Sequence, residues 1–308
     1  MSTGAKPFSI RLPATSANLG SGFDAVAVAL SFFLKIEAEA AEAFSISAAG
    51  QDSNLCSRIK HNLILENYSR ILAENGRPAL PLAIRMQNDI PLGMGCGSSA
   101  AGRLAAIAMA VHFGELDWCS ERILEEACAL EGHPDNAAAC WLGGFVAAAN
   151  EGRAVRVAQV KPPRDWRAIV VLPSQSLATS KARAVLPATY SSADVVANIQ
   201  AVSILGLAFA QGRGDLLRVA MQDRIHQPYR AAMCPLLPGL LSLAGTGGVL
   251  GVGLSGAGPA VLVIVDGAVE VPAASEAILR AMQELPTPKL LTCSFEENGA
   301  MTSFQSIE

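Results

Sequence analysis

The stretch PLGMGCGSSAAG, residues 91–102, constrains the fold of this chain more than any other segment. Gly93, Gly95 and Gly97 alternate with larger residues, and two serines and a run of small residues follow. Glycine inside a regular element costs about 0.5–1 kcal/mol relative to alanine, so three alternating glycines indicate a backbone that other residues adopt poorly. The small residues that follow predict a helix over 99–112, entered directly from the glycine loop.

A glycine loop that enters a helix is suited to bind an anion. Its N–H groups converge on one point, the helix N-terminus adds partial positive charge, and no Cβ obstructs a phosphate. Ser98 and Ser99 add hydroxyl groups that can donate to phosphate or bind Mg²⁺, which prefers oxygen ligands. The spacing matches neither the Walker A loop nor the dinucleotide fingerprint. A glycine-rich turn packed against a helix of small residues is the structural alternative.

A second polar cluster lies in LEGHPDNAAACWLGGF, residues 130–145. Glu131, His133, Asp135 and Asn136 fall within six residues, directly before an apolar run. Carboxylates are needed wherever Mg²⁺ and ATP are held, and imidazole or amide groups can hydrogen-bond a hydroxyl or a phosphate oxygen. The glycine and proline in the same stretch are also typical of a helix end followed by a turn.

Two further glycine-rich stretches have the same two interpretations. In ATSANLGSGFDAVAVAL, residues 14–30, Asn18 and Asp24 flank two glycines. They either face a small ligand or close a wide hairpin loop. In GVGLSGAGPAVLVIV, residues 251–265, a glycine turn precedes a buried strand. That turn either rests against the first glycine loop or permits tight packing.

Composition narrows the class of protein. The chain has 308 residues, 51% of them hydrophobic and 16% charged, which is typical of a folded protein with a substantial core. The formal net charge of -4, without a long basic run, argues against nucleic acid as a partner. KPPRD, residues 161–165, interrupts the pattern of elements, so we predict two domains, 1–160 and 161–308.

Cysteine usage and hydropathy predict a cytoplasmic protein. The seven cysteines show no spacing typical of a metal site, and the first residues lack the apolar segment of a signal peptide. Both observations favour reduced thiols in the cytoplasm. The longest uncharged apolar run is interrupted by glycine and proline, so no membrane partner is expected.

Hydrophobic periodicity predicts a mixture of helices and strands along the whole chain. Strands are predicted at 8–12, 25–37, 43–49, 80–88, 145–149, 154–160, 166–173, 260–265 and 289–294, with a loop over PATSANLGSGFD at 13–24. Helices are predicted at 61–75, 99–112, 120–131, 192–211, 214–225 and 273–284, with Ser120 as the N-cap of the third.

Taken in order, these segments resemble the GHMP kinases, whose phosphate-binding loop reads P-x-x-x-G-L-G-S-S-A-A. Residues 91–101 match that pattern, with Cys96 where the family usually has leucine. Within the superfamily the chain is similar to the homoserine kinases, from about residue 10 to about residue 265. The segments that support this are PATSANLGSGFD, EGHPDNAAACWLGGF, TSKARAVLP (179–187, where TKxAR is usual), DRIHQPYR (223–230) and GLSGAGPA (253–260).

The resemblance implies a fold and an activity. The fold is α+β, a two-domain GHMP kinase fold with an N-terminal domain like ribosomal protein S5 domain 2 and a ferredoxin-like C-terminal domain. ATP and substrate would bind between them. The activity implied is Mg²⁺- and ATP-dependent phosphorylation of the hydroxyl of L-homoserine to O-phospho-L-homoserine, a step of threonine biosynthesis. The family also implies a homodimer.

Roles toward ATP transfer residue by residue. Asn62 matches the position that faces adenine, and Ser99 and Glu131 match the Mg²⁺ ligands. Glu125 and Glu126 lie on the same predicted helix and stay open as alternatives to Glu131. The residues expected to contact the nucleotide are Asn62, Pro91, Gly93, Met94, Gly95, Cys96, Gly97, Ser98, Ser99 and Ala100.

Homoserine, a zwitterion with a terminal hydroxyl, needs three kinds of contact. Arg183 and Arg230 match family positions and suit its carboxylate, because guanidinium can bind a carboxylate through two hydrogen bonds. Asp24 together with Asn18 suits its ammonium group. Candidates to orient the hydroxyl are His133, Asp135 and Asn136, and the candidate catalytic residues are Asp24, His133 and Asn136.

Two other functions remain open from the sequence. One is a related kinase acting on L-threonine or mevalonate. The other is a catalytically inactive GHMP-like binding protein, which should have lost the loop serines or the central acid. Ser98, Ser99 and the EGHPDN stretch are all present, so the inactive alternative is disfavoured.

Overall fold

The computed structural model describes residues 6–305, with side chains to residue 304, and the chain forms two β-sheets covered by helices. The predicted α+β class is confirmed. Residues 1–5, which carry the start of the segment examined for a signal peptide, and residues 306–308 lie outside the described residues. The strands are β1 Phe8–Asn18, β2 Gly22–Ala40, β3 Ser45–Gly50, β4 Leu82–Asn88, β5 Phe145–Glu151, β6 Ala154–Val160, β7 Arg167–Leu172, β8 Val249–Leu254, β9 Val261–Val265 and β10 Lys289–Cys293.

Helices lie between these strands and at the end of the described chain. They are α1 Ser53–Cys56, α2 Leu63–Glu74, α3 Ser98–Phe113, α4 Ser120–Glu131, α5 Asp135–Leu142, α6 Thr179–Ala184, α7 Ser192–Gln211, α8 Leu217–Ala220, α9 Gln227–Arg230, α10 Leu236–Leu241, α11 Val271–Ala281 and α12 Ala300–Gln305. Short 3₁₀ turns occur at Gly214–Leu216, Ala231–Met233 and Ala268–Glu270.

The strands divide into two sheets in chain order. The first has the order β3-β4-β2-β5-β6, with β1 also paired to β2, and only the β3–β4 pair is parallel. The second is antiparallel, in the order β10-β7-β9-β8. The change of sheet falls between Val160 and Arg167. The domain boundary at residue 160 stays a prediction, because the two halves share a core.

Strand β7 shows how the core is shared. Its side chains alternate between the two faces of the sheet, as in any strand. Ala168 and Val170 pack into the large core that also holds β1, β2 and α3, whereas Ile169 and Val171 pack into a second core beneath α10 and α11. Both faces are apolar because both are covered, which explains the continuous hydrophobic run in the sequence.

The end of the described chain returns to the first sheet. Phe295 forms an isolated bridge to Leu30 of β2. The ring of Phe304 in α12 lies 5.8 Å from the ring of Trp141 in α5. Glu296 pairs with Arg11 of β1 at 2.8 Å. The C-terminal residues therefore complete the packing of the N-terminal half.

Most predicted elements are confirmed, but the loop predicted over 13–24 is wrong. β1 continues to Asn18 and β2 begins at Gly22, so the reversal needs only residues 19–21. The intervening residues are small and have little strand preference of their own. They are held in the sheet by pairing, for example Ala14 opposite Leu30.

Two other predictions at helix ends are wrong. The helix predicted at 214–225 is a 3₁₀ turn followed by α8, which ends at Ala220. Asp223 then accepts backbone N–H groups of the next segment, and this redirects the chain. Ser120 is the first helical residue of α4, not its N-cap, and its Oγ accepts a hydrogen bond from Trp141 Nε1 at 2.9 Å.

Helix α7 is unusually apolar for a helix with a large exposed face. Within residues 6–305 it is the one helix long and hydrophobic enough to cross a membrane by length and composition, and 28% of the relevant window is buried. Val196, Ile199 and Leu207 are more than half exposed. The glycine-punctuated run considered in the sequence instead forms β8, a turn and β9.

Candidate active site

A cavity of about 710 Å³ is lined by residues of both halves of the chain. It brings together most of the residues that the sequence singled out, although they come from six separate stretches of the chain. Those on its wall are Asn18, Asp24, Asn62, Gly93, Gly95, Gly97, Ser98, Ser99, Glu131, His133, Asp135, Asn136, Arg183 and Arg230.

Four predicted nucleotide contacts, Pro91, Met94, Cys96 and Ala100, do not line this cavity. Cys96 and Ala100 are buried, and Met94 packs against the large core. The loop alternates, so its glycines face the cavity while the residues between them anchor it. For these four residues a side-chain contact with the nucleotide is therefore not supported.

The three loop glycines have backbone conformations that disfavour a side chain, and two of them also have no room for one. Gly93, Gly95 and Gly97 have φ values of 68°, 81° and 72°, in the left-handed region that favours glycine. A Cβ at Gly95 would overlap the carbonyl oxygen of Ser255, and one at Gly97 would overlap the Thr15 hydroxyl. The glycine pattern is thus explained by both φ and close packing.

The second glycine turn holds the first. Ser255 Oγ donates to the Gly95 carbonyl at 2.7 Å, and the Ala260 N–H donates to the Met94 carbonyl at 3.3 Å. On the other side, the Thr15 N–H donates to the Cys96 carbonyl at 3.1 Å. Of the two interpretations of residues 251–265, contact with the first loop is confirmed. The loop is clamped between β1 and the β8–β9 turn.

We expect Gly95→Ala to destabilise the protein and weaken ATP binding. The left-handed φ alone costs a non-glycine residue about 1–2 kcal/mol. Displacing the Ser255 turn adds about 1–3 kcal/mol, the usual cost of overpacking. Gly76→Ala is the matched control, because Gly76 has a φ of 68° and open space around its Cβ position. Urea unfolding and ATP titration measure both effects. Equal destabilisation of the two variants would contradict the clamp.

Glu131 is the acidic residue of α4 that reaches the cavity. Its Oε1 accepts a hydrogen bond from Ser99 Oγ at 2.7 Å and also contacts the Arg103 guanidinium. Its side chain is 8% exposed. Glu125 and Glu126 do not line the cavity, and Glu126 pairs with Arg70 at 3.3 Å. The hydroxyl and carboxylate oxygens of Ser99 and Glu131 are donors of the type that Mg²⁺ prefers.

Asp24 and Arg183, assigned above to opposite ends of a bound amino acid, bind each other. Arg183 Nη1 and Nη2 donate to the two carboxylate oxygens of Asp24 at 2.9 and 2.7 Å. The hydrogen bond that Arg183 donates to Asp24 is the main cause that raises the pKa of Arg183 above its usual value. Nothing in the sequence indicated this ion pair, and the assignment of Asp24 to an ammonium group and of Arg183 to a carboxylate stays a prediction. The fork geometry of guanidinium explains why they pair so readily.

Asn18 positions Asp24 through the backbone. Its Oδ1 accepts the Asp24 N–H at 3.0 Å, and its Nδ2 donates to the Gly256 carbonyl at 2.8 Å. Asn18 and Asp24 have φ values of 72° and 55°, a conformation that Asn and Asp tolerate better than other residues. The Asn18 side chain is thus occupied in tying the β1–β2 turn to the second sheet. Its predicted contact with an ammonium group stays a prediction.

His133, Asp135 and Asn136 form one hydrogen-bonded group at the start of α5. His133 Nδ1 lies 2.6 Å from Asp135 Oδ1, which also accepts the Asn136 N–H at 2.7 Å. Thr15 Oγ1 donates to Asn136 Oδ1 at 2.6 Å. Burial lowers the pKa of His133, but the hydrogen bond and charge of Asp135 outweigh it, so the net pKa is raised. Sequence reasoning missed Thr15, although it lies within ATSAN.

Arg230 is buried, with 1% of its surface exposed, yet it lines the cavity. Its Nε donates to the Ala182 carbonyl at 3.0 Å, and its Nη1 lies 3.1 Å from His226 Nδ1. Burial, together with the charge of Arg183, lowers the pKa of Arg230. An arginine has five N–H donors, so these two bonds leave others for a ligand.

Asn62 has a structural role that the sequence did not reveal. It is the N-cap of α2, where its Oδ1 accepts the N–H groups of Ile64 and Leu65 at 3.0 and 3.3 Å. Its Nδ2 donates to the carbonyls of Arg58 and Cys56 at 2.8 and 3.2 Å. Asn62 lies on the cavity wall, but its amide is fully used. Its contact with adenine stays a prediction.

Other lining residues were missed because no local motif marks them. Apolar side chains cover part of the wall, and three basic residues precede α2. The apolar residues are Leu34, Leu55, Ile64, Met86, Ile90, Leu92 and Leu177, and the basic ones are Arg58, Lys60 and His61. Asn88 also lines the cavity, and the alternation of β4, which turns Met86 and Asn88 to the same face, was the available signal for these two residues.

Comparison with known proteins matches both halves of the chain. The "GHMP kinases N terminal domain" family matches residues 62–144, and the "GHMP kinases C terminal" family matches residues 207–285. The homoserine kinase of Solibacter usitatus is 42% identical over 83% of this chain and 84% of its own length. That of Deinococcus radiodurans is 36% identical over 85% of each chain.

Solved structures are similar over nearly the whole length. The homoserine kinase of Cytophaga hutchinsonii has a TM-score of 0.80 at 22% identity, covering 97% of this chain and 98% of its own. The mevalonate kinase of L. major, solved with R-mevalonate, has a TM-score of 0.70 at 15% identity, covering 96% and 100%. At these identities the likeness concerns the fold.

Proposed function

The chain belongs to the homoserine kinases of the GHMP kinase family, and we propose that the cavity described above is the site where it acts on ATP and homoserine. Its activity is ATP-dependent phosphorylation of homoserine, a step toward threonine. A kinase for L-threonine or mevalonate and an inactive binding protein are not favoured, because the curated relatives at 33–42% identity are homoserine kinases.

One observation carries the assignment of the site. The clamped glycine loop, the Ser99–Glu131 pair and the two arginines open into a single cavity. Phosphoryl transfer depends mainly on holding donor and acceptor in line and neutralising phosphate charge, so these groups need to be close together. The fold brings these groups into one cavity although they are far apart in the sequence, and this supports the proposal.

We assign the phosphates of ATP to the loop and the start of α3. The first N–H groups of a helix have no acceptor within it, and the glycines leave them accessible. Mg²⁺ bound with ATP would neutralise phosphate charge, and Ser99 and Glu131 are the oxygen donors that we assign to it. Arg103 holds the Glu131 carboxylate toward the cavity.

Homoserine binding requires the Asp24–Arg183 pair to rearrange. We assign the substrate carboxylate to Arg230 and Arg183 and its ammonium group to Asp24. Because a zwitterion carries both charges, it can supply each member of the ion pair with a new partner of opposite sign. Asp24 and Arg183 are partly exposed, at 31% and 39% of their side chains, so the exchange does not require a buried charge to be left alone.

The substrate hydroxyl is assigned to His133 and Asn136. Asp135 engages His133 through Nδ1, which leaves Nε2 to face a ligand. In this arrangement His133 orients the hydroxyl and is the group placed to accept its proton. Asp24 remains the second candidate for that role.

The test is ADP release with Mg²⁺ and ATP, run on L-homoserine, L-threonine, mevalonate and galactose. We expect turnover with homoserine at least about 100-fold above mevalonate and galactose, since a site that pairs polar groups rejects ligands lacking the partner and neither of these carries an ammonium group. L-threonine carries both charged groups, so turnover with it tests the position of the hydroxyl. Preference for mevalonate or galactose would refute the assignment of the amino-acid end, and preference for L-threonine would refute the placement of the hydroxyl. No turnover with any of them, with ATP still bound, would favour the inactive alternative.

We also propose that the exposed face of α7 packs against a second copy of the chain in a cytoplasmic homodimer. Residues 195–211 carry no charge, and Ile199 and Leu207 are 56% and 57% exposed. A monomer rarely leaves such a stripe in water. Light scattering on a sizing column should give twice the mass of 32.0 kDa, and Ile199→Asp should give the monomer. A monomeric wild-type protein would contradict this proposal.

A further inference from the structure

His226 is a fully buried imidazole between the candidate substrate arginine and the β1–β2 turn. Its side chain is 0% exposed. Nε2 lies 2.8 Å from the Gly20 carbonyl oxygen, and Nδ1 lies 3.1 Å from Arg230 Nη1. A carbonyl can only accept and a guanidinium can only donate, so the proton is on Nε2 and Nδ1 carries the lone pair. His226 is therefore neutral, in one tautomer.

The imidazole shares a platform with both substrate arginines. It stacks on the ring of Phe23, with the centroids 5.2 Å apart and the planes inclined by 25°. The guanidinium carbons of Arg230 and Arg183 lie 5.3 and 5.6 Å from the same ring centroid. Phe23 directly precedes Asp24 in the chain. Contacts with the Phe23 ring, together with the hydrogen bonds of Arg230 to His226 and of Arg183 to Asp24, thus connect the charged groups assigned to the amino-acid end of homoserine.

We propose that His226 is a positioning residue for homoserine binding. Its Nδ1 lone pair fixes the orientation of the Arg230 guanidinium, and its Nε2–H fixes the turn that precedes Asp24. This rests on the proposed binding of the homoserine carboxylate by Arg230. His226 itself does not line the cavity, so it acts through Arg230.

The charges around His226 support a neutral imidazole. Burial is the main cause that lowers its pKa below the usual 6.5, and the Arg230 cation lowers it further. Asp223, 3.5 Å from Nε2, and Asp24 act in the opposite direction. The Asp223 carboxylate is already bound by the backbone N–H groups of Ile225, His226 and Gln227, at 2.9, 3.0 and 2.6 Å. With a proton on Nδ1, the N–H of His226 would face the N–H of Arg230 Nη1, and neither group could accept a hydrogen bond.

Three substitutions separate the two bonds of the imidazole. His226→Asn keeps an acceptor near the position of Nδ1, His226→Gln keeps a donor near Nε2, and His226→Ala removes both. We expect His226→Ala to raise the KM for homoserine about 10- to 100-fold, the effect of one hydrogen bond to a charged group. The KM for ATP should change less than about twofold. His226→Asn should recover most of the loss, and His226→Gln less.

Two outcomes would overturn the proposal. One is an equal rise of the KM for homoserine and for ATP, which a general loosening of the site would cause. The other is recovery by His226→Gln that matches or exceeds His226→Asn, which would make the turn the important contact. Melting curves of the Asn and Gln variants identify the folded protein, so the comparison survives if His226→Ala does not fold.

Combination with Arg230→Lys separates this proposal from the proposed function. In the Arg230→Lys background, we expect the KM values for homoserine of His226→Asn and His226→Gln to differ by less than about twofold. The reason is that substitutions acting through one contact do not have additive effects. If Arg230→Lys alone leaves the KM for homoserine unchanged, the assignment of the carboxylate fails. If Arg230→Lys raises it but the difference between the His226 variants persists, only the positioning role fails.

A pH series gives an independent readout. The unfolded chain protonates His226 near its usual pKa, whereas the folded chain does so only at lower pH. Stability contributed by the neutral imidazole is therefore present above about pH 6.5 and lost as the pH falls below it. We expect the Tm of the wild type to fall more steeply than that of His226→Asn between about pH 6.5 and 5. Parallel curves would overturn the neutral assignment.

Discussion

Arg230→Leu is expected to raise the KM for homoserine about 100- to 1,000-fold and to change the KM for ATP less than about twofold. Removing one partner of a buried, hydrogen-bonded charge pair usually costs about 2–5 kcal/mol of binding free energy, or about 30- to 4,000-fold in affinity, and the expected rise lies in the middle of this range. Arg230 is 1% exposed and lines the cavity, so a cation from the solvent cannot easily take its place. Steady-state kinetics with each substrate varied in turn measures the split.

The matched control for Arg230 is Arg218→Leu, since Arg218 is exposed and does not line the cavity. It should leave both KM values unchanged. Arg230→Lys keeps the charge but cannot reproduce the guanidinium fork, so an intermediate KM is expected. An equal rise of the KM for homoserine and of the KM for ATP in Arg230→Leu would show that the residue stabilises the site as a whole. The assignment to the carboxylate would then be wrong.

Glu131→Gln is expected to lower kcat about 100- to 1,000-fold, as removal of a single preorganised charge-stabilising group does in other enzymes. The amide keeps the shape of the carboxylate and an acceptor for Ser99, but it removes the negative charge. We also expect the Mg²⁺ concentration for half-maximal rate to rise. Rates measured across a Mg²⁺ titration at saturating ATP and homoserine test both effects.

Glu125→Gln is the control for Glu131, because the two residues lie on the same helix and only Glu131 reaches the cavity. It should have nearly wild-type kcat and Mg²⁺ dependence. A large effect in Glu125→Gln with a small one in Glu131→Gln would reverse the assignment. If both variants keep full activity, the acidic Mg²⁺ ligand lies elsewhere in the site.

The sequence predicted the parts of the site that depend on local chemistry. Alternating glycines have a backbone cost wherever they occur, so Gly93, Gly95 and Gly97 could be interpreted before any fold was known. The same holds for the polar group around His133, which lies within one turn and the first residues of α5. Helix α2 was predictable because its helical periodicity is carried by many residues, and α3 because a run of small residues follows the glycine loop.

Contacts between distant segments could not be predicted in this way. Asp24 and Arg183 are 159 positions apart, and the motif around each is consistent with a separate contact to a substrate. Only the fold shows that they are neighbours and bind each other. His226 and Gly20 are 206 positions apart, and the histidine stands in the sequence only as one residue of the segment DRIHQPYR. Small residues in β1 also concealed a strand, because pairing to β2 determines their conformation.

Because the C-terminal segment returns to the first sheet, a boundary at residue 160 would not divide the chain into two units that pack independently. Ala168 at the start of β7 lies opposite Cys293 at the end of β10, so the chain enters and leaves the second sheet through adjacent strands. A backbone break within residues 161–165 would therefore leave two fragments that still interlock, because the second carries Phe295 and Phe304 onto the first. The two halves that line the candidate active site are therefore held together by non-covalent contacts as well as by the covalent connection.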